Sequence, residues 1–123
     1  MNMTTIPATV PIPKIYETLN KAAKFSCESV GRPLSLCLWS RMVGGQQEVI
    51  WTNRRGGNVS TDGIQLSSPA DLDGGRCSAI IEAVMEDHFG AWTCILVTAA
   101  DGEALTGDVE LRDGKEYDVY AFV

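Results

Sequence analysis

Four cysteines, Cys27, Cys37, Cys77 and Cys94, constrain the folds open to this 123-residue chain more than any other feature. Their spacings are wide and no Cys-x-x-Cys occurs, so they fit no common zinc pattern. An even number at such spacings suits two disulfides, with three possible connectivities. Disulfides persist in oxidising compartments, so bonded cysteines place the chain outside the cell or in the secretory pathway. The alternative is a cytosolic protein with four buried thiols. The start, Met1-Asn2-Met3-Thr4-Thr5, has no basic region and no apolar stretch of the secretory kind. The expectation is therefore a mature or cloned fragment with an added Met.

The residue counts argue against catalysis and against several partners. His88 is the one histidine, so a His–His metal pair is excluded and a nucleophilic triad would rest on it alone. No P-loop or dinucleotide fingerprint is present, so no cofactor and no metal are expected. The formal net charge of −6 disfavours nucleic acid and anionic membrane as partners. No apolar run approaches the ~18 residues of a membrane span, so membrane attachment would need an anchor absent from this sequence. Acidic residues gather late in the chain (Asp101, Glu103, Asp108, Glu110, Asp113, Glu116, Asp118) and read as a solvated, charged edge.

The pattern along the chain is that of short strands. Residues 1–13 carry Pro7, Pro11 and Pro13 and read as an extended lead-in, an edge strand or an addition from cloning. Ala23 to Cys27 alternates with period two. Leu34 to Met42 is a second strand, with Leu34, Leu36 and Leu38 expected on one face and Cys37 and Trp39 on the other. Gly44-Gly45 turns the chain into Glu48–Thr52. Residues 53–75 are rich in glycine and polar groups and admit short strands at most, one around Ile64 to Leu66. Cys77 to Met85 also fits a helical face; the flanking turn signals favour a strand. Trp92 to Thr98 points Trp92, Cys94 and Leu96 inward and Thr93, Ile95 and Val97 outward. Asp101-Gly102 leads into a last paired strand, Ala104 to Leu111. Tyr117 to Val123 alternates again.

Seven or more such strands, with turn signals every 8–12 residues, predict an all-β sandwich or barrel. Cys27, Trp39 and Cys94, the last within Gly90-Ala91-Trp92-Thr93-Cys94, resemble the Cys…Trp…Cys signature of the immunoglobulin superfamily over about Lys24 to Leu111. The resemblance implies an immunoglobulin-like β-sandwich of two antiparallel sheets. The long gap between the two cysteines favours the variable-type topology. Two positions depart from the family pattern. Trp92 stands where a tyrosine is usual, so an indole N–H would have to replace the phenolic donor, and His88 occupies an aspartate position. The usual Arg–Asp pair is left with Arg76 and a shifted partner, Asp87 standing one residue early.

A narrower set comprises Cys27-x9-Cys37, Gly75-Arg76-Cys77, Ile81-Glu82-Ala83-Val84, Gly90-x3-Cys94 and Gly102 to Gly107. It is similar to the first domain of the fasciclin III family of arthropod cell-adhesion molecules. That likeness implies an ectodomain, secreted or membrane-anchored, that binds other cell-surface proteins, often its own kind.

In that topology alternation pairs Cys27 with Cys94 at the centre and Cys37 with Cys77 nearer the rim. Each bridge stabilises by roughly 2–4 kcal/mol. Leu38, Val49, Trp51, Ile95 and Val97 would project from the outward face of the Trp39 sheet, making an apolar patch suited to a protein interface. Variable-type domains commonly pair through this sheet, as the resemblance implies. Sequons occur at Asn2 and Asn58, and Asn58 in its glycine-rich loop is the candidate glycan site. Arg54-Arg55 could steer an acidic partner, and His88 reads as a surface turn residue.

The expected organisation is a lead-in at 1–13, an immunoglobulin-like domain at 14–112, and an edge strand or linker at 113–123. The expected function is an extracellular or cell-surface adhesion or recognition module, without catalysis. Its partner would be a cell-surface protein, including a second copy of itself as a homodimer. The alternative is a soluble immune-type domain that holds a ligand in its loops.

Overall fold

The computed structural model describes residues 6–53 and 63–115. The elements in order are β1 (Ile6–Pro7), β2 (Lys14–Glu17), β3 (Ala23–Glu28), β4 (Leu34–Val43), β5 (Gln46–Asn53), β6 (Ile64–Leu66), α1 (Pro69–Asp73), β7 (Arg76–Ile81), a 3-10 turn (Glu86–His88), β8 (Gly90–Thr98) and β9 (Ala104–Asp113). Strands β9, β8, β4 and β5 form the large sheet in that order, with β1 and β2 along the outer edge of β9. The small sheet is β3-β7-β6. Packed face to face, they make the immunoglobulin-like sandwich that the sequence predicts.

Period-two alternation builds both layers. In β3 the buried side chains are Ala23, Phe25 and Cys27, and in β8 they are Trp92, Cys94, Leu96 and Thr98. Trp39 and Cys94 are register partners on the large sheet, and Cys27 and Cys77 are partners on the small one. Disulfides join Cys27 to Cys94 and Cys37 to Cys77, with Cα–Cα distances of 6.6 and 5.6 Å. The two bridges therefore cross the core side by side. Phe25 fills the space between two tryptophans, 4.9 Å from the Trp39 ring edge-on and 5.1 Å from Trp92. Gly107 makes room for this centre. A Cβ there would lie 2.8 Å from Val10 Cγ2, 3.2 Å from Cys94 Sγ and 3.3 Å from Cys27 Sγ.

Several local expectations are corrected. Leu34 is fully buried, on the same side as Cys37 and Trp39. The β4–β8 register shifts between Leu34 and Leu36, and one extra residue in a ladder reverses the side-chain faces beyond it. The strand beginning at Arg76 ends at Ile81 and does not reach Met85. Beyond it Val84 is buried and exchanges backbone hydrogen bonds with Asn20 and Lys21. The large sheet is not purely antiparallel, because β1 and β2 both run parallel to β9. Proline lacks an N–H, which suits this lead-in to an edge. Helix α1 stands where only strands or loop were expected. Ser68 caps it, accepting from the Asp71 N–H at 3.2 Å while Asp71 accepts from the Ser68 N–H at 3.1 Å. Leu72 anchors it to the core.

Candidate interaction face

Strands β9, β8, β4 and β5 send every second side chain outward. The register aligns these residues in rows across the sheet. One row runs Trp51–Leu38–Ile95–Thr106, and the next runs Asn53–Leu36–Val97–Ala104. On the other side lies Val49–Ser40–Thr93–Asp108. Leu38, Val49, Trp51, Ile95 and Val97 thus share one outer face. Trp51 is 37% exposed and Val49 47%. Leu38, Ile95 and Val97 are half-buried, since cross-strand neighbours at roughly 5 Å shield one another. Met42 extends the apolar area beyond Ser40.

The polar groups of this face are already paired. Gln47 Nε2 donates to Ser40 Oγ at 2.7 Å, and Thr93 Oγ1 donates to Asp108 Oδ1 at 2.9 Å. Ser35 and Thr106 donate to the carbonyls of Val97 and Cys94. Burying the patch would therefore strand few hydrogen-bonding groups, which removes the usual penalty for desolvating a mixed surface.

The two ends of the sandwich are held differently. At one end Arg32, in the β3–β4 loop, reaches Glu103 at 2.6 Å and Asp101 at 3.3 Å in the β8–β9 hairpin. The hydrogen bond to Glu103 raises the Arg32 pKa above its usual value. The Thr98 hydroxyl, then the Glu103 N–H, then the Arg32 charge hold the Asp101 carboxyl below its usual range. The Arg32 and Asp101 side chains face solvent, whereas Thr98 is buried.

At the other end the charge is buried. Arg41 sits 4.7 Å over the Trp92 ring, donates to Glu48 at 3.1 Å and donates to the Asp87 carbonyl at 2.9 Å. Trp92 Nε1 donates to the His88 carbonyl at 3.0 Å, so the indole supplies the donor that the missing phenol would have given. His88 is buried, not a surface turn residue, because its Nδ1 accepts from the Met85 N–H and closes the 3-10 turn. Arg76 does not join this cluster; it faces Asp71 at 3.7 Å. Arg41 escaped the sequence reading, although its register with Cys37 and Trp39 marks it as inward-facing.

The outer face of the small sheet is charged: Lys24, Glu28 and Arg76 line it with Ser26 and Gln65. An open groove of about 400 Å³ lies beside Phe89, Gly90 and Glu110. No cluster of metal-ligating side chains exists among the described residues. Asn2, Arg54, Arg55, Asn58 and the expected strand Tyr117–Val123 lie outside the described residues.

No family model matches the chain, and no curated protein matches it. Its fold is shared by 1520 solved chains, so architecture alone does not select a function. One of them is the extracellular portion of mouse CD200RLa, with a TM-score of 0.65 and 21% identity. The match covers 83% of this chain and 55% of that one, so the chain spans about half the length of that ectodomain. The likeness establishes the immunoglobulin-like fold.

Proposed function

We propose that this domain is an extracellular recognition module that binds another cell-surface protein through the outer face of the β9-β8-β4-β5 sheet. One observation carries the reading: a contiguous apolar patch centred on Trp51, Leu38 and Ile95, whose neighbouring polar groups are already hydrogen-bonded. Large exposed apolar patches on a folded domain mark protein interaction sites. Trp51 is the natural anchor, since a rigid aromatic buries much area at little entropic cost. The two disulfides and the likeness to the extracellular portion of mouse CD200RLa support a location outside the cell. An apolar surface with a paired polar rim fits binding.

The finer reading is homophilic adhesion. The resemblance to the fasciclin III family favours it, and a two-fold pairing would use each face residue twice. Sedimentation of the domain over a concentration series tests it. A dimer that forms with rising concentration and is lost in Trp51→Asp supports self-pairing. A monomer throughout, with Trp51-dependent binding to a different ectodomain, assigns the face to another partner.

A further inference from the structure

Val30 is held in a conformation that its side chain disfavours. Its φ is +55°, in the left-handed region, where a β-branched side chain crowds its own backbone. It is also 77% exposed, more than any other large hydrophobic side chain among the described residues. The turn itself requires neither property, since glycine or asparagine at position 30 would adopt the same backbone without the crowding.

The surroundings prevent relaxation. Buried Ser29 donates through Oγ to the Arg32 carbonyl at 2.5 Å, and its N–H donates to the Gly75 carbonyl at 2.9 Å. Gly75 has φ +79°, and a Cβ on it would lie 2.6 Å from Ser29 Oγ and 2.8 Å from the Arg32 carbonyl oxygen. The β7 entry is thus packed directly under the turn. Arg32 is tied to Asp101 and Glu103, and the Ala99 N–H donates to the Pro33 carbonyl at 2.9 Å. Strain that the surroundings over-determine in this way collects at functional sites.

We propose that Val30 is a preset anchor for a second contact surface, at the loop end, and inserts into an apolar socket on a protein partner. An aliphatic knob without hydrogen-bonding capacity fits such a socket and offers nothing to a saccharide or a nucleobase. Arg32, two residues along the same loop, is outnumbered by one charge by the Asp101 and Glu103 carboxylates it binds, so a socket that takes this loop end has a basic rim. Fixing the loop in advance removes part of the ordering entropy that association otherwise costs. This surface is separate from the sheet face.

The test uses the folded domain as a tetramer, applied to arrayed ectodomains of cell-surface proteins that include its own. Val30→Gly should raise the unfolding temperature by about 3 °C, because it relieves the left-handed crowding. The same variant should weaken binding about tenfold or more, whereas Val30→Ile keeps it. The inference is overturned by a Val30→Gly domain that binds like the parent, by one that unfolds earlier, or by a parent that binds no ectodomain. Loss with Trp51→Asp but not with Val30→Gly removes the loop surface and leaves the sheet face standing. The opposite pattern removes the sheet face and leaves Val30.

Discussion

The two sheets of this sandwich turn very different surfaces to solvent. The small sheet exposes Lys24, Glu28, Arg76 and Gln65, whose ion pair and hydrogen bond are solvent-facing and worth little to stability. The large sheet exposes Trp51, Val49 and Met42 around half-buried Leu38 and Ile95, with its hydroxyls already satisfied. Both sheets cover the same core, so the core does not account for the difference. Among the described residues the apolar outer face belongs to the large sheet, and the proposed partner contact lies on that side.

The largest expected effect checks the alternation that puts Trp51 outside. Trp39 is paired with Ile50, one step along the β4–β5 ladder from the Leu38–Trp51 pair, and is fully buried. Trp39→Ala should destabilise by about 3–5 kcal/mol. Trp51→Ala should cost well under half of that. Chemical denaturation of both variants decides it, and equal losses would mean that Trp51 belongs to the core.

The buried charge comes next. Arg41→Ala removes the Glu48 pair, the bond to the Asp87 carbonyl and the contact with Trp92. A loss of about 3 kcal/mol is expected, since the buried arginine's three contacts are lost together and half-buried Glu48 is left without its partner. By contrast, Arg76→Ala on the small sheet's outer face should change stability by about 0.5 kcal/mol or less. If the two variants lose the same stability, Arg41 is not the keystone of its end of the sandwich.

Much of this arrangement is legible in the sequence. Strands β3 and β8 are half-buried, and a half-buried strand writes its period directly into the chain. The apolar outer face follows from the same rule. The side chosen for Leu34 fails because a bulge leaves no mark in a period-two pattern. The parallel pairing of the lead-in with β9 joins segments almost a hundred residues apart, and no local feature encodes it. Helix α1 was legible in Ser68-Pro69-Ala70-Asp71, where a capping residue, an N1 proline and an acidic N3 stand in order. The glycines around it masked that signal. His88 misleads because a polar residue can be buried when one ring nitrogen satisfies a backbone donor.

The smallest expected effect concerns the loop end. The Asp101 carboxyl is held below its usual range by Thr98, the Glu103 N–H and Arg32. A depressed carboxylate stabilises above its unfolded pKa of about 3.9, and that contribution is lost as pH falls through the folded value. Acidification below about pH 4 should therefore loosen the Arg32–Asp101–Glu103 tie. Amide exchange at Glu103, corrected for intrinsic rates, should rise in that window in the parent, and Asp101→Asn should show the faster exchange at neutral pH already. Unchanged protection would show that the backbone alone holds the hairpin.

The contrast between the two outer surfaces is tested most directly by introducing the same charge on each. Trp51→Asp places a carboxylate in the apolar patch, and Lys24→Asp places one on the small sheet's charged face. Both variants, as folded tetramers on arrayed ectodomains including the domain's own, should retain the parent's disulfides and cooperative unfolding. Trp51→Asp should lose binding about tenfold or more, and Lys24→Asp should bind as the parent does. Binding that survives Trp51→Asp, or that is lost equally in Lys24→Asp, would contradict the assignment of recognition to the β9-β8-β4-β5 face.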